Sequence, residues 1–260
     1  MKKLISILIV LHSSISFSST LFDEFNQQDP KKFQELQNFI ELIENENIDM
    51  NRSKINQKKV DQLKNELRTE LKTKYLQSLV SELGPCLTSP CLTNKSTYDI
   101  LNLKNREGIC FPDVDCEFYK CMEEKHQCMD EGYEYFEKLA YPTCSNYVKR
   151  IGLNKFTEIG VDWIYRVMVC LQKGLVDECD KNGNCLPSKN TNQKNCDYMT
   201  EFTLEFHPGC YINSGVGICQ LPMRDQLAIW KTVLPYLTKR EKREAYKVMW
   251  HCLTKGGKTK

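Results

Sequence analysis

Apolar positions recur along most of this chain with the period of an α-helix. From Phe156, the residues Phe156, Gly160, Trp163, Val167, Cys170 and Gly174 follow one another at alternating steps of four and three. That spacing places them on one side of a 3.6-residue helix. Ile164, Met168, Leu171 and Leu175 run beside them and widen the stripe. The stretch from Tyr141 to Leu175 is therefore expected to hold a central helix lying deep in a core.

Two further stripes precede it. Phe33, Leu36, Phe39/Ile40 and Ile43 predict a helix within Pro30 to Asn47, with Asp29 as N-cap and Pro30 in its first turn. After a polar, Asn-rich loop from Asn45 to Gln57, a second amphipathic helix carries Val60, Leu63, Leu67, Leu71, Tyr75, Leu79 and Leu83 up to Gly84-Pro85. These two are expected to form a hairpin packed on the body. A propeptide cut near Lys58-Lys59 and a coiled-coil association arm are the alternatives.

Downstream, Phe118, Cys121, Met122, Lys125 and Cys128 mark a helix from Glu117 to Asp130. Cys196, Met199, Phe202, Phe206 and Cys210 mark another, closed by His207-Pro208-Gly209. A third spans Met223 to Leu234, with Pro222 placed for its first turn. The last opens on the capping box Thr238-x-x-Glu241, turns Ala245, Val248, Met249 and Cys252 inward and stops at Gly256-Gly257. Little in the chain alternates with the period of a strand. The expected fold is all-α: a disulfide-stapled helical bundle with an extra N-terminal helical segment.

The first residues set the compartment. Lys2 and Lys3 precede the apolar run LISILIVL, too short to span a bilayer but suited to a signal peptide, with small residues at Ser16, Ser18 and Ser19 offering cleavage sites. Residues 1–19 are expected to be removed and the protein secreted into the extracellular space. No later stretch is apolar and long enough for a membrane span. Export changes the meaning of the 14 cysteines, which in an oxidising compartment read as seven disulfides. They begin only at Cys86, so residues 20–85 form a cysteine-free N-terminal extension, 86–254 a cysteine-rich domain and 255–260 a basic tail. Loss of Lys2 and Lys3 would leave 34 basic against 34 acidic residues. A net charge of zero argues against nucleic acid or an anionic membrane as the main partner. Asn51 and Asn94 begin glycosylation sequons.

Candidate chemistry is sparse. No C-x2-C occurs and the four histidines, His12, His126, His207 and His251, are scattered, so neither zinc nor any other cofactor is expected. His126-Gln127-Cys128 has a faint likeness to the His-Asp pair of secreted phospholipases A2. Gln127 stands where those enzymes need aspartate, and no glycine-rich calcium loop precedes it. Cys179 and Cys185 bracket Asp180-Lys-Asn-Gly-Asn184, which fits an EF-hand poorly because Lys189 falls where a bidentate Glu is required. A polar turn clipped by a disulfide is expected there, and Cys86 and Cys91 read as a similar local staple. No nucleophile–base pair stands out by spacing, so no enzyme is expected.

One pattern is more specific. Cys144, the aromatic Tyr147, Lys155-Phe156, Gly160, Trp163 and Cys170-Leu171-x-x-Gly174 are followed in order by Cys196, Cys210-Tyr211, Cys219 and Cys252. Over Cys110 to Cys252, a little over half of the chain, this resembles the stanniocalcin family of secreted glycoprotein hormones. Carried over by order, the resemblance implies bridges Cys110–Cys121, Cys116–Cys144, Cys128–Cys196, Cys170–Cys210 and Cys219–Cys252. Cys86, Cys91, Cys179 and Cys185 remain as two close pairs able to close on themselves. It further implies a hormone-like, non-enzymatic ligand linked to calcium and phosphate homeostasis, whose partner is an extracellular receptor or a pappalysin-type metalloproteinase. The departures are the missing tail cysteine, which makes a covalent dimer unexpected, the lack of a sequon between Cys121 and Cys128, a long Cys128–Cys144 segment and the N-terminal helices. A structural component of an extracellular or granule matrix and a secreted hydrolase are the rival functions.

Overall fold

The computed structural model describes residues 20–44, 54–83, 110–181, 185 and 192–255, and among these no residue lies in a strand. We number the helices α1 (20–28), α2 (Pro30–Glu44), α3 (Gln57–Leu83), α4 (Glu117–His126), α5 (Tyr141–Gly152), α6 (Glu158–Val176), α7 (Asn192–Asn213), α8 (Met223–Val233) and α9 (Lys239–Thr254). Single turns of other pitch punctuate them: π-helical at Tyr135–Ala140 and Asp177–Lys181, 3₁₀ at Ile218–Gln220 and Leu234–Tyr236.

Helix α6 is the centre of the fold, packed against α7, α3 and α5. Gly160, Trp163, Val167 and Gly174 are buried along it with Ile164, Met168, Leu171 and Leu175, while Cys170 is half-buried. Phe156 is fully buried but lies just before the helix. The start is set instead by Thr157, whose extended backbone and hydroxyl, accepting from Gly160 N, make an N-cap. The two stripe glycines are sites of close approach. A Cβ on Gly174 would overlap the Phe206 ring of α7, and one on Gly160 would lie 2.7 Å from the Asp225 carboxyl carbon of α8.

The N-terminal helices dock on the body separately rather than pairing as a hairpin. Leu36, Phe39 and Ile43 of α2 are buried, and α2 lies on α8 and α9. Val60, Leu63, Leu67 and Leu71 of α3 are buried, and α3 lies on α6. Each stripe finds its apolar partner in the body, so neither needs the other. Ion pairs follow the α3–α6 seam at Lys59–Glu158 (2.7 Å) and Lys173–Glu70 (2.9 Å). They are exposed, so the buried leucines rather than the charges hold the seam. For Tyr75, Leu79 and Leu83 the side chains lie outside the described residues, as does Gly84-Pro85.

Helix α1 closes over the far end. Phe25 stacks on Trp250 of α9 with ring centroids 4.5 Å apart, and Trp250 Nε1 donates to Gln28 Oε1 at 3.1 Å. Asp29 then caps α2, its carboxylate accepting from Lys32 N at 3.1 Å. Replacing Phe25 by Leu keeps an apolar group but removes the stack. It should cost about 1 kcal/mol in urea unfolding and make the α1–α2 segment more sensitive to limited proteolysis. Unchanged stability and sensitivity would show that α1 contributes nothing.

Two helix ends differ from expectation. The helix from Glu117 stops at His126 because Gln127 takes a left-handed conformation (φ 51°), which turns the chain so that Cys128 reaches Cys196. Helix α7 does not stop at His207-Pro208-Gly209 but runs through Pro208 to Asn213. Pro208 removes one helix bond. The turn beyond it is held from outside by the Cys170–Cys210 bridge and by Trp163 Nε1, which donates to Tyr211 O at 3.1 Å. At α8 the helix begins at Met223, with Pro222 in the cap position.

Candidate functional site

Among the described residues there are six disulfides. Five join Cys110 to Cys121, Cys116 to Cys144, Cys128 to Cys196, Cys170 to Cys210 and Cys219 to Cys252. They are the same five pairs that the family resemblance implies. The sixth, Cys179–Cys185, closes the local turn after α6. Cys86, Cys91 and the sequons at Asn51 and Asn94 lie outside the described residues, as do 182–184 in the clipped turn. Helix α7 is clamped at both ends, by Cys196 to the turn that follows α4 and by Cys210 to α6.

His126 is buried beside the first clamp, and its carbonyl accepts from Asn192 Nδ2 at 2.9 Å. With Cys128 oxidised and Gln127 in the left-handed turn, His126 is the last residue of α4. Among the described residues, no three or more His, Cys, Asp and Glu side chains are placed to hold a metal ion. No helix among them is long and apolar enough to cross a membrane.

Two buried polar anchors gave no sequence signal. Asp225 of α8 is fully buried, and its carboxylate accepts from Thr157 N at 2.8 Å and contacts the Thr157 hydroxyl. It sits in the first turn of α8, where the helix dipole favours a negative charge. Gln172 of α6 is also fully buried. Its Nε2 donates to Asp115 O at 2.7 Å and its Oε1 accepts from Asp113 N at 2.8 Å, which fixes the strap that carries Cys110 and Cys116. Asp113 is joined in turn to Arg68 of α3 at 2.8 Å.

Between the helices lies a cavity of about 110 Å³, to which every helix from α4 to α9 and the π-turn contribute. Its walls are mostly apolar, with Ile164, Val167, Met168, Ile229 and Val233 among them. Aromatic polar groups are set into these walls: Tyr119, Tyr135, Tyr147, Trp163, Tyr211 and Trp230. The Tyr135, Thr143 and Tyr147 hydroxyl oxygens are closed off from solvent, and Tyr135 turns its hydroxyl toward Thr203. Tyr147 and Tyr211 turn their hydroxyls toward one another without closing a bond of good geometry. Burial pushes Tyr211 up to about 12 and raises Tyr119, Tyr135 and Tyr147 too, so each phenol keeps its proton at neutral pH. At the rim, half-buried Leu237, Glu241, Glu244 and Ala245 of the final turns meet Pro208 of α7.

His207 lines the same cavity, half-buried, with Nδ1 against Thr203 O. Burial lowers its pKa from the ordinary 6.5, while the contact with Thr203 opposes that shift. Folding therefore favours the neutral ring. The stabilisation is whole above pH 6.5 and declines as the pH falls from there through the lowered folded value, because the unfolded chain takes the proton first. Burial raises the carboxyls of Asp115 and Glu123, which act in the opposite sense. The informative quantity is therefore the difference between the wild type and His207→Gln. The urea midpoint of His207→Gln should fall less between pH 7 and pH 5. Parallel profiles would remove His207 from the acid response.

Comparison with models of known families, with curated proteins and with solved structures finds no match to this chain.

Proposed function

We propose that this chain is a secreted, non-enzymatic ligand of the stanniocalcin kind, acting by presenting a rigid, disulfide-held helical surface to an extracellular protein. The double clamp on α7, Cys128–Cys196 together with Cys170–Cys210, carries the proposal. It locks a surface helix to the core helix in the pairing the family uses. Four large apolar side chains, Val148, Leu153, Ile159 and Met223, are exposed near the ends of α5, α6 and α8. Asp225 joins the last two of those ends, and exposed apolar side chains of this size are suited to protein contact. The inward-facing stripes of α2 and α3 argue against free association arms, and hence against a matrix component. A role in calcium or phosphate homeostasis, and pappalysin-type metalloproteinases as a partner class, follow from the resemblance.

The experiment is saturation binding of the purified, oxidised protein to cell surfaces and to a pappalysin-type metalloproteinase, with its mass in solution measured alongside. A monomer or dimer that binds either one saturably, and loses binding on reduction, supports the ligand reading. High-order assembly without saturable binding would replace it with the matrix reading. Hydrolysis of ester or peptide reporters by the protein alone would replace it with an enzyme.

A further inference from the structure

Helix α9 opens on two basic pairs, Lys239-Arg240 and Lys242-Arg243, with Glu241 between them and Glu244 behind. A subtilisin-type protease with carboxylates along its cleft reads such a pattern by charge and shape together. Arginine at the cut bond, a basic neighbour before it and arginine three positions earlier each meet a carboxylate there. Arg243, Lys242 and Arg240 fill these positions in order. Other basic pairs among the described residues do not. Lys31-Lys32 and Lys58-Lys59 contain no arginine, and Lys149-Arg150 has Tyr147 three positions before its arginine. Tyr147 and Ile151 are moreover buried, which holds that pair against the core.

Placement matters as much as pattern. Such a cleft takes its substrate as an extended strand, so the first turn of α9 must open before it can enter. Lys239, Arg240 and Arg243 are exposed, Glu241, Lys242 and Glu244 half-buried, and the first buried residue of the helix is Val248. The turn is held chiefly by polar contacts. These are the Thr238–Glu241 capping box, Lys242 N donating to Thr238 O at 3.0 Å, and Arg240 forked onto the Glu201 carboxylate of α7. Exposed ion pairs contribute little and helix ends open at low cost, so this segment reaches the open form without global unfolding.

The fold also fixes what a cut there leaves behind. The piece from Glu244 onward carries Cys252, bridged to Cys219, and buries Val248, Met249 and Trp250, the last stacked on Phe25. It therefore stays seated after the bond is broken. What is lost is the cap, because Thr238 and Glu241 then belong to the other chain, and a new ammonium stands at the helix start, where the dipole disfavours it. Leu237, Glu241 and Glu244 at the cavity rim lose their fixed connection.

We propose that the Arg243–Glu244 bond is a processing site for a subtilisin-type serine protease with an acidic cleft, reached when the first turn of α9 opens and Arg240 leaves Glu201. Water adds to the Arg243 carbonyl carbon and the amide bond breaks. Arg243 keeps a carboxylate and the Glu244 nitrogen takes the proton. The proposal rests on the secreted reading only for where protein and protease meet.

The test digests the purified, full oxidised chain with furin, a protease of this type, and follows it by mass spectrometry with and without reductant. One cut is expected, adding the mass of one water to the unreduced molecule, and reduction should then release a peptide beginning at Glu244. Arg243→Gln should stay whole. Glu201→Gln, which frees Arg240 from its fork, should be cut about three-fold faster, the worth of an exposed ion pair. Both variants change side chains outside the core and should fold as the parent does. A parent left whole, a first cut at another bond or release of the peptide without reductant would overturn the proposal. So would cutting of Arg243→Gln at this bond, or an unchanged rate in Glu201→Gln. None of these results bears on saturable binding to a partner, which tests the ligand reading separately.

Discussion

A chain in which Cys128 and Cys196 are both replaced by alanine is expected to lose about 4 kcal/mol of stability, the largest effect of any single bridge. The bridge closes the longest loop in the described fold, with a sequence separation of 68, against 40 for Cys170–Cys210 and 6 for Cys179–Cys185. Loop-closure entropy grows with the logarithm of that length, so removal of Cys179–Cys185 should cost only about 2 kcal/mol. Both sulfurs of the long bridge are buried, which adds a packing loss to the entropic one. Denaturant unfolding of the two double variants, compared in oxidising buffer, checks the order. If the six-residue clip proved the more costly, the core would not depend on the α7 clamp.

The second large effect concerns a carboxylate. Asp225→Ala should cost about 3 kcal/mol, because it empties a buried carboxylate site and leaves the part-buried Thr157 N and hydroxyl without their acceptor. Gly160→Ala should cost about 2 kcal/mol, because the new methyl group would meet a carboxylate that Thr157 holds in place. Together the two changes should not add. Once Asp225 is shortened, the methyl at position 160 occupies vacated space and gains the helix propensity that glycine lacks. The double variant should lie near Asp225→Ala alone, a coupling of about 2 kcal/mol in a double-mutant cycle. Additive losses would mean that Gly160 is required for some reason other than the contact with Asp225.

Much of the architecture was legible because burial in this chain is periodic. The α6 stripe, the α2 and α3 stripes and the Thr238–Glu241 capping box each leave a local pattern, and the structure places them on helices over nearly the expected spans. Local pattern says nothing of what faces what. The stripes of α2 and α3 could serve a hairpin as well as two separate docks, and only the partners on α9 and α6 decide. Pro208 reads locally as a stop, yet tertiary bonds at Cys210 and Tyr211 carry the helix past it. The cavity was not visible for the same reason. Tyr119, Tyr135, Tyr147 and Tyr211 come from four separate elements, and each alone resembles an ordinary amphipathic core residue. A hint lay in the choice of tyrosine over phenylalanine at positions on apolar faces. Gln172 and Asp225 gave none, since a buried polar residue shows itself only once its distant acceptors and donors are known.

The two clamps on α7 also have a consequence for proteolysis. Cys128–Cys196 and Cys170–Cys210 interleave along the chain, since Cys170 lies inside the first loop and Cys210 outside it. A single cut anywhere between Cys185 and Asn192 would separate the sequence into two polypeptides joined by both bridges. Such a nicked molecule would run as one species until reduced, then fall into two bands. A cut at that connection would therefore leave two chains held to one another by both bridges.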